Sequence, residues 1–239
     1  MESEEFGQLD GTFEINVIFN VAKRKLRQLI RNWNKAFITK AEQELLQMPE
    51  ISSFVLEVEL PSAKYPILDK KSIGEFTTTA VGGTFDHLHD GHKILLSMAL
   101  FLTRSRMIIG ITGKELLQNK KFAEALEPFS KRQNSVTRFL SLIMSDDQYF
   151  EIYQISDVCG PTGYLRDIDG LVISHETISG GEFVNKYRRE HGFNELDVTA
   201  IKVIGDKDST AENSWKGKIS STDIRQRELE KIRKYEQYS

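Results

Sequence analysis

FTTTAVGGTFDHLHDGHKILLSMALFLTRSRMIIGIT, residues 76–112, is the stretch that decides the fold. It begins as a run of strand-forming residues closed by two glycines, as a buried strand does when it enters a tight turn. FDHLHDGH follows, then the helical run KILLSMALFL and the strand-like MIIGIT. Strand, phosphate-sized turn, helix and strand make a βαβ unit. The pattern continues downstream, with strands expected at 150–156, 171–174 and 198–204 and helices at 131–145, 182–190 and 222–235. Such alternation specifies an α/β fold, a Rossmann-like doubly wound parallel sheet. Ligands of these sheets bind beyond the carboxyl ends of the strands, so function is expected at the turn after Val81.

Upstream, residues 1–75 read as an N-terminal α+β extension. It holds a strand FEINVIF, a helix from 21 to about 47, a second strand SFVLEVEL and a two-proline linker at 61–75. Leu26, Leu29, Ile30, Trp33, Phe37, Ala41 and Leu45 recur at helical spacing and give that helix one apolar face. The chain therefore divides into the extension, 1–75, and an α/β domain, 76–239. With 239 residues, 39% of them hydrophobic and 28% charged, it can bury an ordinary core, which excludes a disordered chain. A net charge of −3 disfavours general nucleic-acid binding. The lone Cys159 forms no internal disulfide and fits a reducing compartment. The acidic N-terminus lacks the pattern of a leader, and the apolar run at 94–102 is far shorter than the roughly 20 residues of a membrane span. A cytoplasmic protein away from membranes is expected.

The chemistry concentrates in Gly82-Gly83-Thr84-Phe85-Asp86-His87-Leu88-His89-Asp90-Gly91-His92. Glycines at a strand end let the backbone approach a bulky anion, and His89-x-Gly91-His92 sets two imidazoles at the start of a helix. Both can donate to phosphate oxygens beside the positive end of the helix dipole. Their donors suit a pentacovalent phosphate, whose extra charge appears only in the transition state. A zinc triad of His87, His89 and His92 is the alternative, but the Gly-Gly-Thr lead-in serves no metal. Asp86 either fixes the turn through local amides or contacts substrate. Far downstream, Lys218-Ile219-Ser220-Ser221-Thr222-Asp223-Ile224-Arg225 opens a second helix. Ser220, Ser221 or Thr222 caps it, and Arg225 projects one turn later. Together the two segments read as halves of a nucleoside triphosphate clamp.

GGTFDHLHDGH followed by KISSTDIR resembles the nucleotidyltransferase superfamily. LLQNKKFAEALEPFSKR, DVCGPTG and LVISHETISGGEFVNKYR narrow the resemblance to the eukaryotic and archaeal type of phosphopantetheine adenylyltransferase, over about residues 77–235. The resemblance implies transfer of AMP from Mg-ATP to 4′-phosphopantetheine, forming dephospho-coenzyme A and pyrophosphate in coenzyme A biosynthesis, without a covalent enzyme intermediate. It implies that Thr84 holds the attacking phosphate, His92 the α-phosphate and His89 the leaving pyrophosphate. Lys120 would orient the acceptor phosphate, with Lys114 and Lys121 as rivals. Gly82, Gly83, Phe85, Ser220, Ser221 and Thr222 would bind ATP, and Arg225 or Lys218 would add charge. Bacterial relatives place a triphosphate-binding arginine where this chain has Ser174-His175-Glu176-Thr177, so Arg188 is expected to replace it, against a purely structural role.

Phe183 and Tyr187, four residues apart, are expected in the core. No G-x-x-x-x-G-K-[ST] occurs, so this chain is expected to carry only the adenylyltransferase step. A separate dephospho-coenzyme A kinase and other enzymes of the pathway are then the expected protein partners, and no oligomeric state is set by the sequence. The competing readings are a nicotinamide mononucleotide adenylyltransferase, a cytidylyltransferase, a fragment of a class I aminoacyl-tRNA synthetase, and a non-catalytic scaffold that only holds nucleotide.

Overall fold

The computed structural model describes residues 36–39, 53–56, 74–201 and 220–236. Five parallel strands form the main sheet: β3 (Phe76–Gly83), β4 (Thr103–Thr112), β5 (Tyr149–Ile155), β6 (Gly170–Ser174) and β7 (Asp197–Ile201). Their spatial order is β5-β4-β3-β6-β7. The winding reverses between β3 and β6, the crevice where doubly wound sheets bind ligands. In register, Gly82 and Gly83 of β3 sit opposite Gly110 and Ile111 of β4, and Val81 sits opposite Val172 of β6. The linking helices are α1 (Asp90–Leu102), α2 (Phe129–Ile143) and α3 (Ile178–Glu190), and α4 (Ser221–Glu236) closes the order. The expected strands and helices of this region are all present within a few residues of their bounds, with 202–204 of the last strand outside the described residues.

Burial explains why the strands are apolar throughout. Val81, Met107, Ile109, Ile111 and Val172 face one core with Leu95, Leu96 and Ala99 of α1 and Val136, Phe139 and Leu140 of α2. Ala80, Ile108, Leu171 and Ile173 face a second core with Val184 of α3. Successive strand residues thus alternate between two covered faces, and β3, β4 and β6 carry no solvent face. No helix among the described residues is long and apolar enough to cross a membrane.

A separate two-stranded parallel sheet joins β1 (Ala36–Thr39) to β2 (Ser53–Leu56). The second strand was expected; the first corrects the helix read across 21–47. Phe37 and Ile38 lie opposite Phe54 and Val55 in parallel register, so backbone pairing with a distant segment outweighs the helical spacing there. The FEINVIF strand, the rest of that helix, the linker up to residue 73 and Lys218 lie outside the described residues.

Candidate active site

Two helix N-termini and the ends of β3, β4 and β6 enclose a cavity of about 740 Å³. Gly82, Gly83, Thr84, His89, His92 and Lys120 line it from one side, and Ser220, Ser221, Thr222 and Arg225 line it from the other. The two segments expected to form a clamp therefore meet, across more than a hundred residues of chain. Ser174, Thr177 and Gly180 close the β6 side, and Val158, Cys159 and Pro161 form an apolar lip.

His89 is the N-cap of α1 in an extended conformation, yet its side chain makes no capping bond. A Ser, Thr, Asp or Asn there would satisfy one of the helix's free N–H groups; His89 leaves its imidazole for the cavity. Its ring stacks on His92 with centroids 3.9 Å apart and planes 23° apart. Gly91 permits this, because a Cβ there would stand 3.1 Å from His89 Cε1 and 3.2 Å from Nδ1. Phe85, fully buried, tilts against the His92 ring at 5.4 Å. Nδ1 of both imidazoles is buried without a hydrogen-bond partner. Unpaired buried donors or acceptors are costly, so both rings are poised for an incoming polar ligand.

Electrostatics fix their resting state. Burial pushes His92 down to about 3, and the neighbouring His89 pushes in the same direction. Burial also lowers His89, against the opposing pull of Asp90 and Asp86. Both rings are neutral near pH 7 in the empty site, each with one N–H to donate. Bound phosphate would raise both, since a nearby opposite charge favours the protonated form.

Asp86 answers the alternative left open by the sequence: it fixes the turn. Fully buried, it accepts from the Glu127 N–H at 2.9 Å through Oδ1 and from Arg225 Nη1 through Oδ2. Its burial alone would raise its pKa, but the bonds from Glu127, Arg225 and His87 hold it below the usual carboxylate range. Arg225 is consequently engaged by protein, donating also to the Lys121 carbonyl at 3.0 Å and to Thr222 Oγ1 at 3.2 Å. At 2% exposed it is a buried tie in the cavity wall, and it lines the cavity where it was expected to add charge for ATP.

On α4, Ser220 is the cap. Its Oγ accepts from the Asp223 N–H at 3.2 Å and donates to Asp223 Oδ2 at 2.8 Å. Ser221 Oγ donates to the Asp86 carbonyl at 2.9 Å, so its hydroxyl hydrogen serves the turn. Thr222 Oγ1 accepts from Arg225, which leaves its own hydrogen for the cavity.

Lys120 is exposed, lines the cavity and lies close enough to His92 to act on its charge. Its rivals do not line it: Lys114 sits in the short helix Lys114–Leu116, and Lys121 contributes its carbonyl to Arg225. Of its two expected roles, Arg188 takes the structural one. It is fully buried and donates to the carbonyls of Asn194, Thr162, Leu165 and Arg166 at 2.6–3.3 Å. It braces the turn Gly160–Gly163, whose Pro161 and Thr162 form cavity wall, and does not itself line the cavity. Phe183, expected in the core, is 51% exposed.

His87 does not join the other histidines. Its Nε2 lies 2.9 Å from Glu228 Oε2 and its Nδ1 3.1 Å from Asp86 Oδ2. Asp86, His87 and Glu127 bring ligand atoms within 4.8 Å of one another, but Arg225 and Lys131 already pair with the two buried carboxylates. The group is a protein network. Sequence reasoning missed Arg132, which is 2% exposed. It donates to the Thr84 carbonyl at 2.8 Å, the Thr112 carbonyl at 3.0 Å and the Glu127 carbonyl at 3.1 Å, tying the ends of β3 and β4 together. Its partners are backbone carbonyls, which no side-chain motif announces.

A switch-point cavity with two unpartnered imidazoles at one helix N-terminus and a second helix N-terminus facing them defines a site of the nucleotidyltransferase class. Residues 80–227 match the family model described as Cytidylyltransferase-like. The chain is 49% identical over 155 residues to the phosphopantetheine adenylyltransferase of Saccharomyces cerevisiae, covering 65% of this chain and 50% of that protein. It is 35% identical over 141 residues to the phosphopantetheine adenylyltransferase of Pyrococcus abyssi, covering 57% of this chain and 88% of that protein. An uncharacterized protein of Schizosaccharomyces pombe is 32% identical over 219 residues, covering 87% of this chain and 69% of that protein. The chain belongs to the cytidylyltransferase-like family and, within it, to the phosphopantetheine adenylyltransferases of the eukaryotic and archaeal type. It spans half the length of the yeast relative.

Proposed function

We propose that this chain transfers AMP from Mg-ATP to 4′-phosphopantetheine, forming dephospho-coenzyme A and pyrophosphate. The observation that carries the reading is the stacked His89–His92 pair with both Nδ1 atoms unpartnered, in a chain 49% identical to a phosphopantetheine adenylyltransferase. Catalysis needs no enzyme nucleophile. A phosphate oxygen of the acceptor attacks the α-phosphorus in line, the bond from that phosphorus to the α–β bridging oxygen breaks, and pyrophosphate leaves. Thr84 and Lys120 hold the acceptor phosphate, His92 the α-phosphate and His89 the departing pyrophosphate. Thr222 and the amides opening α4 take the β- and γ-phosphates, with Gly82, Gly83 and Phe85 shaping the floor. Mg2+ enters as part of the nucleotide substrate, bound to its phosphate oxygens. Residues 76–239 form the catalytic domain, and 1–75 an extension of it.

The test is pyrophosphate release from Mg-ATP with 4′-phosphopantetheine as acceptor. Nicotinamide mononucleotide as acceptor and CTP as donor serve as controls, and wild type is compared with His92→Ala. Turnover confined to phosphopantetheine, reduced about a hundredfold or more in the variant, is expected from loss of a transition-state donor. Nucleotide binding with no turnover on any acceptor would leave only a scaffold.

A further inference from the structure

Asp86 and His87, adjacent in the turn, touch three residues of α4: Ser221 through the Asp86 carbonyl, Arg225 through the Asp86 carboxylate, and Glu228 through the His87 ring. Spacings of four and three residues put these partners on one stripe of the helix. The first two contacts hold the start of α4. The third lies nearly a turn further along and is the open one, with the Glu228 side chain 48% exposed. The turn's backbone is committed to this arrangement. Phe85 and His87 both adopt left-handed conformations, φ 51° and 47°, which cost a residue with a Cβ and persist only where the surroundings enforce them. Between them they send the Phe85 ring inward to His92 and the His87 ring outward to α4.

We propose that His87 is a positioning residue for the nucleotide site: its protonated imidazole, between Asp86 and Glu228, keeps α4 seated with its N-terminus toward the cavity, so capture of Mg-ATP weakens as that proton is lost. The inference rests on the nucleotide reading above for its effect on ATP, and on the geometry alone for the seating of α4.

The charged groups around the imidazole come from three elements. Asp86 lies on its own turn. Glu127, ahead of α2, accepts the His87 N–H at 2.7 Å and pairs with Lys131 of α2 at 2.9 Å. Glu228 and Arg225 come from α4, and Arg225 is paired with Asp86. Three carboxylates thus face one imidazole and two cations already paired. Burial would lower the His87 pKa, but the hydrogen bond to Glu228 and the Asp86 carboxylate 3.1 Å from Nδ1 prevail and raise it above its ordinary value. For a group raised on folding, the stabilisation is complete below the ordinary value of about 6.5 and is lost as pH rises through the folded value. The window therefore lies on the alkaline side.

Glu228→Gln tests the proposal on the intact chain, because the exposed side chain keeps a hydrogen-bonding amide and loses only its charge. In wild type the KM for Mg-ATP should rise about threefold to fivefold between pH of about 6 and about 9, the range of a partly exposed ion pair, while the KM for the acceptor stays flat. In Glu228→Gln the KM for Mg-ATP should sit near the alkaline value at every pH. His87→Asn tolerates the left-handed backbone and does not titrate, and should give the same flat profile. Amide hydrogen exchange along α4, corrected for intrinsic rates, is the readout independent of nucleotide. Exchange that accelerates with pH in wild type but not in the variants supports the proposal. Identical profiles in all three proteins overturn it. Absence of turnover on every acceptor would defeat the functional reading, and the exchange comparison would still decide the seating of α4.

Discussion

Gly91→Ala separates the chemistry of the site from its stability. Gly91 has no left-handed backbone to protect, so alanine fits the helix, and in the first turn of α1 it should be neutral or favourable by up to about 1 kcal/mol. The cost falls on His89 instead. The new Cβ would stand 3.1 Å from Cε1 and 3.2 Å from Nδ1, so the ring must yield by a few tenths of an ångström. It cannot yield freely, because it stacks on His92 at 3.9 Å and His92 leans on the buried Phe85. A displacement of 1 Å in a catalytic group costs about a hundredfold, so a few tenths should cost on the order of fivefold in kcat/KM. The assay is pyrophosphate release with both substrates varied, beside a thermal melt. An activity within twofold of wild type at unchanged Tm would refute the claim that Gly91 exists to seat His89. A fall in both quantities would mean that the glycine serves the backbone.

Three further outcomes are expected. Asp86→Ala leaves the buried Arg225 guanidinium without its carboxylate and should destabilise by about 3–5 kcal/mol in denaturant unfolding; a loss below about 1 kcal/mol would show that the pair is not a buried tie. Arg188→Met strands four carbonyls and should cost about 2–4 kcal/mol of stability, while the KM for ATP of the folded fraction moves less than twofold; a tenfold rise at unchanged stability would restore a role in triphosphate binding. The His92 pKa falls on folding to about 3, so the unfolded chain binds the extra proton and stability should fall as pH drops from about 6.5 toward 3, by up to about 1.4 kcal/mol per pH unit. His92→Gln should flatten that acid slope, and an unchanged slope would place the titration elsewhere.

The sheet was legible because the strands between two helical layers must be apolar on both faces, and Ala80-Val81, Met107-Ile108-Ile109 and Leu171-Val172-Ile173 write that requirement directly into the sequence. The histidine turn was legible for a similar reason: glycines and imidazoles have few bland uses at the end of a strand. Ala36–Thr39 misled because its helical spacing is real, while its pairing with Ser53–Leu56 depends on residues elsewhere in the chain. The arginines misled on different grounds. A guanidinium that binds triphosphate and one that gathers backbone carbonyls are the same residue in sequence, and only burial distinguishes them. Arg188, for which a structural role was the equal alternative, is a tie, Arg225 is a tie that also lines the cavity, and Arg132, the tie between the ends of β3 and β4, carries no signal in the sequence. The result has a physical sense. A site that must stabilise charge appearing only in the transition state gains from donors held in place beforehand. Here the donors that face the cavity are neutral or small, namely His89, His92 and Thr222, with Lys120 as the cation at the rim. The guanidiniums of Arg132 and Arg188 lie behind the cavity and that of Arg225 in its wall, where Asp86 and backbone carbonyls compensate their charge and they fix the positions of the groups around them.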